Sequence, residues 1–150
     1  MRRNKPPDDG LRSLITSHLK TIKGEAVHWQ PIETALTASG VPDLYGCWRG
    51  RQVWVECKRT KAWSIKMDEF QVGWQMRLAR SGGTGFVAVR RRCVAGPRRL
   101  AADELYIING ESAPRLAAGG LRGNNVCGWR MIGGPESWDW DKVARILFRT

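Results

Sequence analysis

The pattern of hydrophobic and polar positions marks two neighbouring stretches in the first half of the chain. Bulky and β-branched residues are frequent in 44–48 and in 51–58, and Arg49-Gly50 lies between the two stretches. Bulky and β-branched residues are typical of strands, and a two-residue connection that contains glycine suits a tight reversal. The pattern therefore predicts a β-hairpin centred on Arg49-Gly50.

This hairpin determines which polar side chains share a site. Asp43 and Glu56 lie the same number of residues from the turn, so they face one another on neighbouring strands. Because residues two apart point to the same face, Glu56 and Lys58 project together and the intervening Cys57 points into an apolar layer. Two facing carboxylates, with Cβ atoms about 4.5–5.5 Å apart, repel each other, and a bound cation removes that cost.

Two carboxylates beside one ammonium suit the hydrolysis of a phosphodiester. Hard oxygen ligands bind Mg²⁺ or Mn²⁺, and such an ion polarises a phosphoryl oxygen and acidifies a water molecule. We therefore expect Asp43 and Glu56 to hold the metal, with at most the backbone carbonyl of Cys57 as a third ligand. The ammonium of Lys58 is expected to orient the water or to stabilise the developing charge.

Periodicity and end signals predict further elements on both sides of the hairpin. An unbroken apolar run after the second helix favours a buried strand, parallel to the strand that carries Glu56. Between 112 and 135 the composition indicates a long loop or an irregular hairpin. The other predictions are a helix over 10–23, a strand over 26–36, a helix capped by Ser64 and ending at Gly82, a strand over 85–89, a short helix or strand pair over 101–110, and a helix over 138–148 capped by Ser137.

Pro42-Asp43, followed after a hairpin by Glu56-Cys57-Lys58, then by a helix with Gln71 and a strand ending in Arg90-Arg91-Arg92, resembles the PD-(D/E)XK nuclease superfamily. Within it, the order and spacing are similar to the VRR-NUC and phage Holliday-junction-resolvase-like branches, over about residues 28 to 92. The resemblance implies a single α/β domain over 1–150, with a restriction-endonuclease-like core in which helices flank a mixed central sheet. It also implies a homodimer.

The resemblance raises a question about a missing acid. Relatives often carry a glutamate in the first helix, and residues 10–23 contain none. Glu33 could replace it as an extra metal ligand or as a supporting carboxylate, and the alternative is an exposed glutamate at a strand end. Gln71 resembles the helix glutamine that orients the site or contacts substrate, and the alternative is a solvated helix glutamine.

The charge balance favours a polyanionic partner. Lys and Arg number 25 against 14 Asp and Glu, which gives a net charge of +11, and such a field attracts nucleic acid. Residues 1–9 are predicted to form a flexible basic arm. Trp48, Trp63 and Trp129 lie beside basic residues and are candidates for stacking on bases or for wedging a branch point, with packing in the core or in a dimer interface as the alternative. The candidate DNA-binding residues are Arg59, Lys61, Arg90, Arg91, Arg92, Arg98 and Arg99, with ordinary solubilising residues as the alternative for the arginines.

Cysteine usage and hydropathy bear on the compartment. The four cysteines form no CxxC pair, so we expect reduced thiols, and no apolar run has the length of a membrane span. A cytoplasmic protein is therefore expected, in a host cell if the gene belongs to a phage. No membrane partner is expected.

Together these features predict a metal-dependent DNA endonuclease. By resemblance, it is expected to select branched DNA or Holliday junctions in phage-type replication or recombination. Two other classes stay open: a catalytically silent nucleic-acid-binding module that keeps the fold, and a structural basic protein. The facing acids argue against both, because neither class needs an acidic cleft.

Overall fold

The computed structural model describes residues 10–33 and 39–150. Residues 1–9, predicted to be a basic arm, and residues 34–38, which include the end of the predicted first strand, lie outside the described residues. The helices within the described ranges are α1 (Leu11–His18), α2 (Glu69–Arg80), α3 (Ala113–Gly119) and α4 (Trp140–Phe148). The strands there are β1 (Thr21–Ile22), β2 (Glu25–Ala26), β3 (His28–Pro31), β4 (Leu44–Trp48), β5 (Arg51–Thr60), β6 (Gly85–Cys93), β7 (Ala102–Asn109) and β8 (Gly128–Met131).

A six-stranded mixed sheet forms the centre of the protein. Its strand order is β3-β4-β5-β6-β7-β8, and β1 pairs with β2 in a separate small sheet. The pair β5 and β6 is parallel, with α2 between them in the chain, and the other neighbours are antiparallel. The predicted fold class is confirmed: the protein is α/β, with a mixed central sheet flanked by helices.

The hairpin of β4 and β5 has the predicted turn and register. Trp48 pairs with Arg51 and Leu44 with Val55, while Arg49 and Gly50 both have positive φ, 49° and 75°. Positive φ at both central residues is the signature of a type I′ turn, whose twist matches that of the strands. The same register, continued by one residue, places Asp43 beside Glu56.

Apolar side chains cover both faces of the central strands. On one face, α1 and α4 pack on alternate residues of β5, β6 and β7, among them Val53, Val55 and Phe86. On the other face, Ile65 and Leu116 pack against the remaining residues of β6 and β7. Both faces of β6 and β7 are therefore covered, as expected for the interior of such a sheet, whereas the second face of β5 carries Glu56 and Lys58.

Several predicted helix boundaries differ from the observed ones. The first helix ends at His18, and the rest of the predicted helix is replaced by β1, which turns at Lys23 and Gly24, both with positive φ, to pair with β2. The second helix begins at Glu69 with Asp68 as its N-cap, so the predicted Ser64 cap is wrong. The cap of the last helix is Asp139 instead of Ser137.

The second half of the chain contains more regular structure than predicted. Strand β6 continues to Cys93, so Arg90 to Arg92 lie inside the strand and do not follow its end. Residues 102–109 form one strand, β7, whereas a short helix or strand pair was expected. Within residues 112–135, where a long loop or an irregular hairpin was expected, the structure contains α3 and β8.

The four cysteines are free thiols, as predicted. Among the described helices, none combines the length and the apolar sequence that crossing a membrane requires.

Candidate active site

Asp43 lies directly before β4, at the end of the hairpin. Its backbone carbonyl accepts a hydrogen bond from the N–H of Ile32 (2.8 Å), and its Oδ2 accepts one from the N–H of Cys57 (2.9 Å). Contacts to both neighbouring segments hold the half-buried carboxylate in place. Asp43 is therefore fixed on the hairpin by its partner strand.

Glu56 lies in the middle of β5, and its carboxylate is almost completely buried. Its Oε1 accepts a hydrogen bond from Gln71 Nε2 (2.9 Å) and lies 3.3 Å from Lys58 Nζ. Burial and, next, the negative charge of Asp43 raise the pKa of Glu56 to about 7, although the ammonium of Lys58 opposes the shift. The charge of Lys58 alone therefore does not offset the effects of burial and of Asp43 on the pKa of Glu56.

Gln71 connects the two charged groups of β5. Its Nε2 donates to Glu56, and its Oε1 accepts a hydrogen bond from Lys58 Nζ (2.9 Å). The strand places Glu56 and Lys58 on one face, and the first turn of α2 brings the amide between them. Asp43, Glu56, Lys58 and Gln71 are therefore brought together, as their spacing and the family resemblance suggested.

Asp68 holds Gln71 in position, and the sequence analysis missed this role. The N–H of Gln71 donates to Asp68 Oδ1 (2.9 Å), and Gln71 Oε1 accepts from the N–H of Asp68 (3.2 Å). This reciprocal pair is a capping box, which satisfies two free N–H groups at the helix start. The signal was present as an acid three residues before a glutamine.

Gly40 brings the loop before Asp43 against α2. Its φ is +87°, and a Cβ at this position would lie 2.3 Å from the carbonyl oxygen of Phe70 and 2.9 Å from the backbone nitrogen of Gln71. Only glycine permits this backbone contact without displacing the helix. The contact made by Gly40 was also missed, because the sequence Gly40-Val41-Pro42 indicates a turn and does not indicate a contact with a helix.

Glu33 lies two residues after β3. Its side chain is 76% exposed, and its Oε1 lies 4.0 Å from Arg12 Nη2 on α1. The structure thus places Glu33 in a surface ion pair, and its contribution to the site stays a prediction.

The donor set fits a hard divalent cation. Among residues 10–33 and 39–150, no three His, Cys, Asp or Glu side chains form a ready-made metal cluster. Mg²⁺ commonly binds through one or two carboxylates and keeps several waters, so Asp43 and Glu56 suffice in number. The raised pKa of Glu56 shows that its ionised form is unfavourable in this environment, and a bound cation would stabilise that form.

Two of the arginines predicted to bind DNA are buried. Arg90 donates to Asp103 (2.9 and 2.7 Å), and Arg91 Nη1 donates to Glu104 (3.0 Å). Arg90 and Arg91 therefore form ion pairs inside the sheet, which corrects their placement at its edge. In contrast, Arg59, Lys61, Arg92, Arg98 and Arg99 are at least partly exposed near the ends of β5 and β6.

The tryptophan candidates have three different environments. Trp48 is buried in the core, and Trp129 is 37% exposed on β8. The ring of Trp63 is stacked between two guanidinium groups, with Arg91 Cζ 3.7 Å and Arg122 Cζ 3.5 Å from its centroid. Its faces are therefore already covered by cation–π contacts.

No family model matches the chain, and no curated protein matches it. Among solved structures, the chain is similar to the 1.6 Å structure of Hjc from Archaeoglobus fulgidus, a Holliday junction resolvase from an archaeal hyperthermophile. The identity is 14% and the TM-score 0.48, over 89% of this chain and 95% of that chain. A likeness of this extent carries no functional argument, so the function is inferred from the site.

Proposed function

We propose that this protein is an endonuclease that uses a divalent metal to hydrolyse phosphodiester bonds in DNA. The observation that carries the proposal is the environment of Glu56. This carboxylate is buried opposite Asp43, and one ammonium is beside it, so that burial and Asp43 raise its pKa to about 7. A site of this kind is costly in a merely structural role and suits a cation.

Asp43 and Glu56 would hold the metal, with the backbone carbonyl of Cys57 as a third ligand. The contacts of Glu56 to Gln71 and Lys58 both use Oε1, and the contact of Asp43 to Cys57 uses Oδ2. Each carboxylate thus has a second oxygen that these contacts do not use. When bound, Mg²⁺ or Mn²⁺ supplies Lewis acidity at a phosphoryl oxygen and lowers the pKa of a coordinated water.

Lys58 is the residue that we assign to the attacking water. An ammonium has three N–H donors, and two acceptors, Gln71 Oε1 at 2.9 Å and Glu56 Oε1 at 3.3 Å, lie next to it. One donor is therefore left to orient the water or to stabilise charge on the phosphoryl group. Gln71 acts as a positioning residue, because it fixes both Lys58 and the Glu56 carboxylate.

Charge supports DNA as the polyanion. The chain carries a net charge of +11, and exposed basic residues follow Lys58 along β5. Selection of branched DNA, such as a Holliday junction, in phage-type replication or recombination is the finer part of the proposal. A homodimer, also proposed from the family resemblance, would present two such sites to two strands.

A cleavage panel tests the proposal. The purified protein is incubated with four-way junction, flap, linear duplex and single-stranded DNA in Mg²⁺, Mn²⁺ or EDTA. We expect metal-dependent cleavage of branched substrates, reduced about 10²-fold to 10⁴-fold in Lys58→Ala, since Lys58 contacts the reacting groups. Lys66→Ala, which removes an exposed lysine before α2, is the matched control and should cleave normally. If no substrate is cut and Lys58→Ala binds DNA unchanged, the silent binding module is favoured instead.

Calorimetric titration with Mn²⁺ tests the ligand assignment separately. Asp43→Asn should bind the ion more weakly than the unmodified protein, because one of two anionic ligands is lost. Asp141→Asn, at an exposed position in α4, should bind it normally. Equal affinities for all three proteins would remove Asp43 from the metal site.

A further inference from the structure

A large groove lies at the carboxyl ends of β5 and β6. Its volume is about 1040 Å³, and the β6–β7 connection, residues 94–101, forms one wall. Gly96 and Arg99 are bridged across that connection by mutual backbone hydrogen bonds of 2.9 and 3.2 Å, so that it folds as a tight turn. We call this feature the β5–β6 groove.

The groove has a positive field. Four of its lining residues, Arg59, Lys61, Arg92 and Arg99, are cationic, and Asp103 is the lining acid. Asp103 accepts two hydrogen bonds from the buried Arg90 and lies 3.9 Å from Nε of Arg92, which is 62% exposed, so its charge is largely compensated. The groove therefore suits an anion with several charges, such as a chain of phosphates.

The walls of the groove are apolar between the cations. Val94, which is 74% exposed, lines it together with Ala95, Ala101 and Cys93. Phosphate binding alone requires only cations, whereas apolar walls and this volume also suit unstacked bases. In a duplex the bases are paired and stacked, so an unpaired strand is the form of DNA that uses both features.

Arg99 is held in a fixed orientation in this wall. Its Nε donates to the carbonyl oxygen of Val94 (3.0 Å), so the guanidinium group is preorganised beside the apolar patch. A planar guanidinium can pair with phosphate or stack on an unpaired base. Arg99 thus joins the charged and apolar parts of the groove.

The groove also lies close to the candidate active site along β5, because Thr60, one of its lining residues, is two residues after Lys58 on the same face of the strand. Arg59 to Lys61 directly follow Lys58, and a strand rises about 3.3 Å per residue, which puts these positions within about 10 Å of Lys58. This distance corresponds to one or two further nucleotides of a DNA strand that passes Lys58 and Thr60.

We propose that the β5–β6 groove binds a single-stranded DNA segment next to the phosphate that is cut, so that the protein selects DNA with an unpaired stretch over continuous duplex. The position of the cut rests on the proposed function. Binding in the groove does not, and it is measured without metal, so the two can fail independently.

Fluorescence anisotropy in EDTA tests this proposal, with a labelled 12-nucleotide oligo(dT) and a labelled duplex of the same length. The groove variant is Arg92→Gln/Arg99→Gln. The matched control is Arg80→Gln/Arg115→Gln, which removes the same charge at two exposed positions that do not line the groove. Val94→Asp tests the apolar wall, and circular dichroism verifies that every variant is folded.

We expect the groove variant to bind oligo(dT) about tenfold more weakly, with a salt slope lower by about 1.4, as the loss of two phosphate contacts predicts. Duplex binding should change less than threefold, and the control should bind oligo(dT) nearly normally. Val94→Asp should also weaken oligo(dT) binding more than duplex binding. Equal losses for oligo(dT) and duplex, or for the groove and control variants, would overturn the proposal, even if the cleavage panel succeeds.

Discussion

Two glutamates in the central sheet have almost the same burial and opposite electrostatics. Glu56 on β5 is 3% exposed and Glu104 on β7 is 4% exposed. Burial and Asp43 raise the pKa of Glu56 to about 7. Burial alone would also raise the pKa of Glu104, but hydrogen bonds from Arg130, Tyr106 and Arg91 outweigh it and hold the pKa below its ordinary value.

The difference lies in the number of donors around each carboxylate. Glu104 accepts from Arg91 and Tyr106 through Oε2 and from Arg130 through Oε1, so both oxygens are used within the protein. The described contacts of Glu56 are to one oxygen, and its neighbour Asp43 is another acid. A buried carboxylate whose two oxygens both accept hydrogen bonds within the protein stabilises the fold. A buried carboxylate beside a second acid is suited to bind a cation.

The largest expected effect is on stability at Glu104. Glu104→Gln should lower the free energy of unfolding by about 3–5 kcal/mol, because it leaves the buried Arg91 without its anionic partner. Urea unfolding at neutral pH measures the change. A loss of less than 1 kcal/mol would contradict the structural role assigned to this glutamate.

The next effect is a pH dependence at Glu56, measured without metal. Because its pKa is raised on folding, the stability that Glu56 contributes is complete below its unfolded value near 4.5 and is lost as pH rises through about 7. The glutamine in Glu56→Gln cannot ionise, so the variant does not lose this stability. Between pH 4.5 and pH 8, the free energy of unfolding of the variant minus that of the unmodified protein should therefore increase by about 3 kcal/mol.

Urea titrations at several pH values give this difference. The lowered pKa of Glu104 acts in the opposite sense, since its stabilising contribution is lost as pH falls below its unfolded value. The two glutamates therefore titrate in different windows. A flat difference between Glu56→Gln and the unmodified protein across pH 4.5–8 would show that Glu56 is as well compensated as Glu104.

The smallest effect concerns the positioning of Gln71. Asp68→Ala removes an N-cap and should cost about 1 kcal/mol, as should Asp139→Ala, the matched cap of α4. Since Gln71 orients Lys58 and Glu56, only Asp68→Ala should also reduce cleavage, by several-fold. Equal cleavage by both variants in the same assay would show that the capping box serves the helix alone.

The hairpin and the residues it carries could be predicted because their signals are local. Strand alternation and the Arg49-Gly50 turn set the register, and the register alone places Asp43 opposite Glu56. The role of Gln71 was predicted from the family resemblance, in which a glutamine lies on the helix that follows the strand. Its partner Asp68 was missed although a local capping signal was present, because Ser64 was taken as the cap.

The remaining errors concern contacts between distant parts of the chain. Strand β6 continues through Arg90 and Arg91 because Asp103 and Glu104 on β7 compensate their charges, and no pattern within β6 shows this. The short edge strand β8 is held by pairing with β7 and has no strong pattern of its own. Gly40 is likewise explained only by the backbone of α2.

The placement of β5 has a mechanical consequence. This strand is hydrogen-bonded to β4 along one edge and to β6 along the other, so the backbone that carries Glu56 and Lys58 has little freedom to adjust, and its amide protons should be among the slowest to exchange. If a duplex had to deform to reach this strand in the proposed reaction, the deformation would fall on the nucleic acid, at a cost of about 1–6 kcal/mol for an intact helix. A substrate that is already interrupted would avoid most of that deformation, so a rigid β5 would favour such DNA over a continuous duplex.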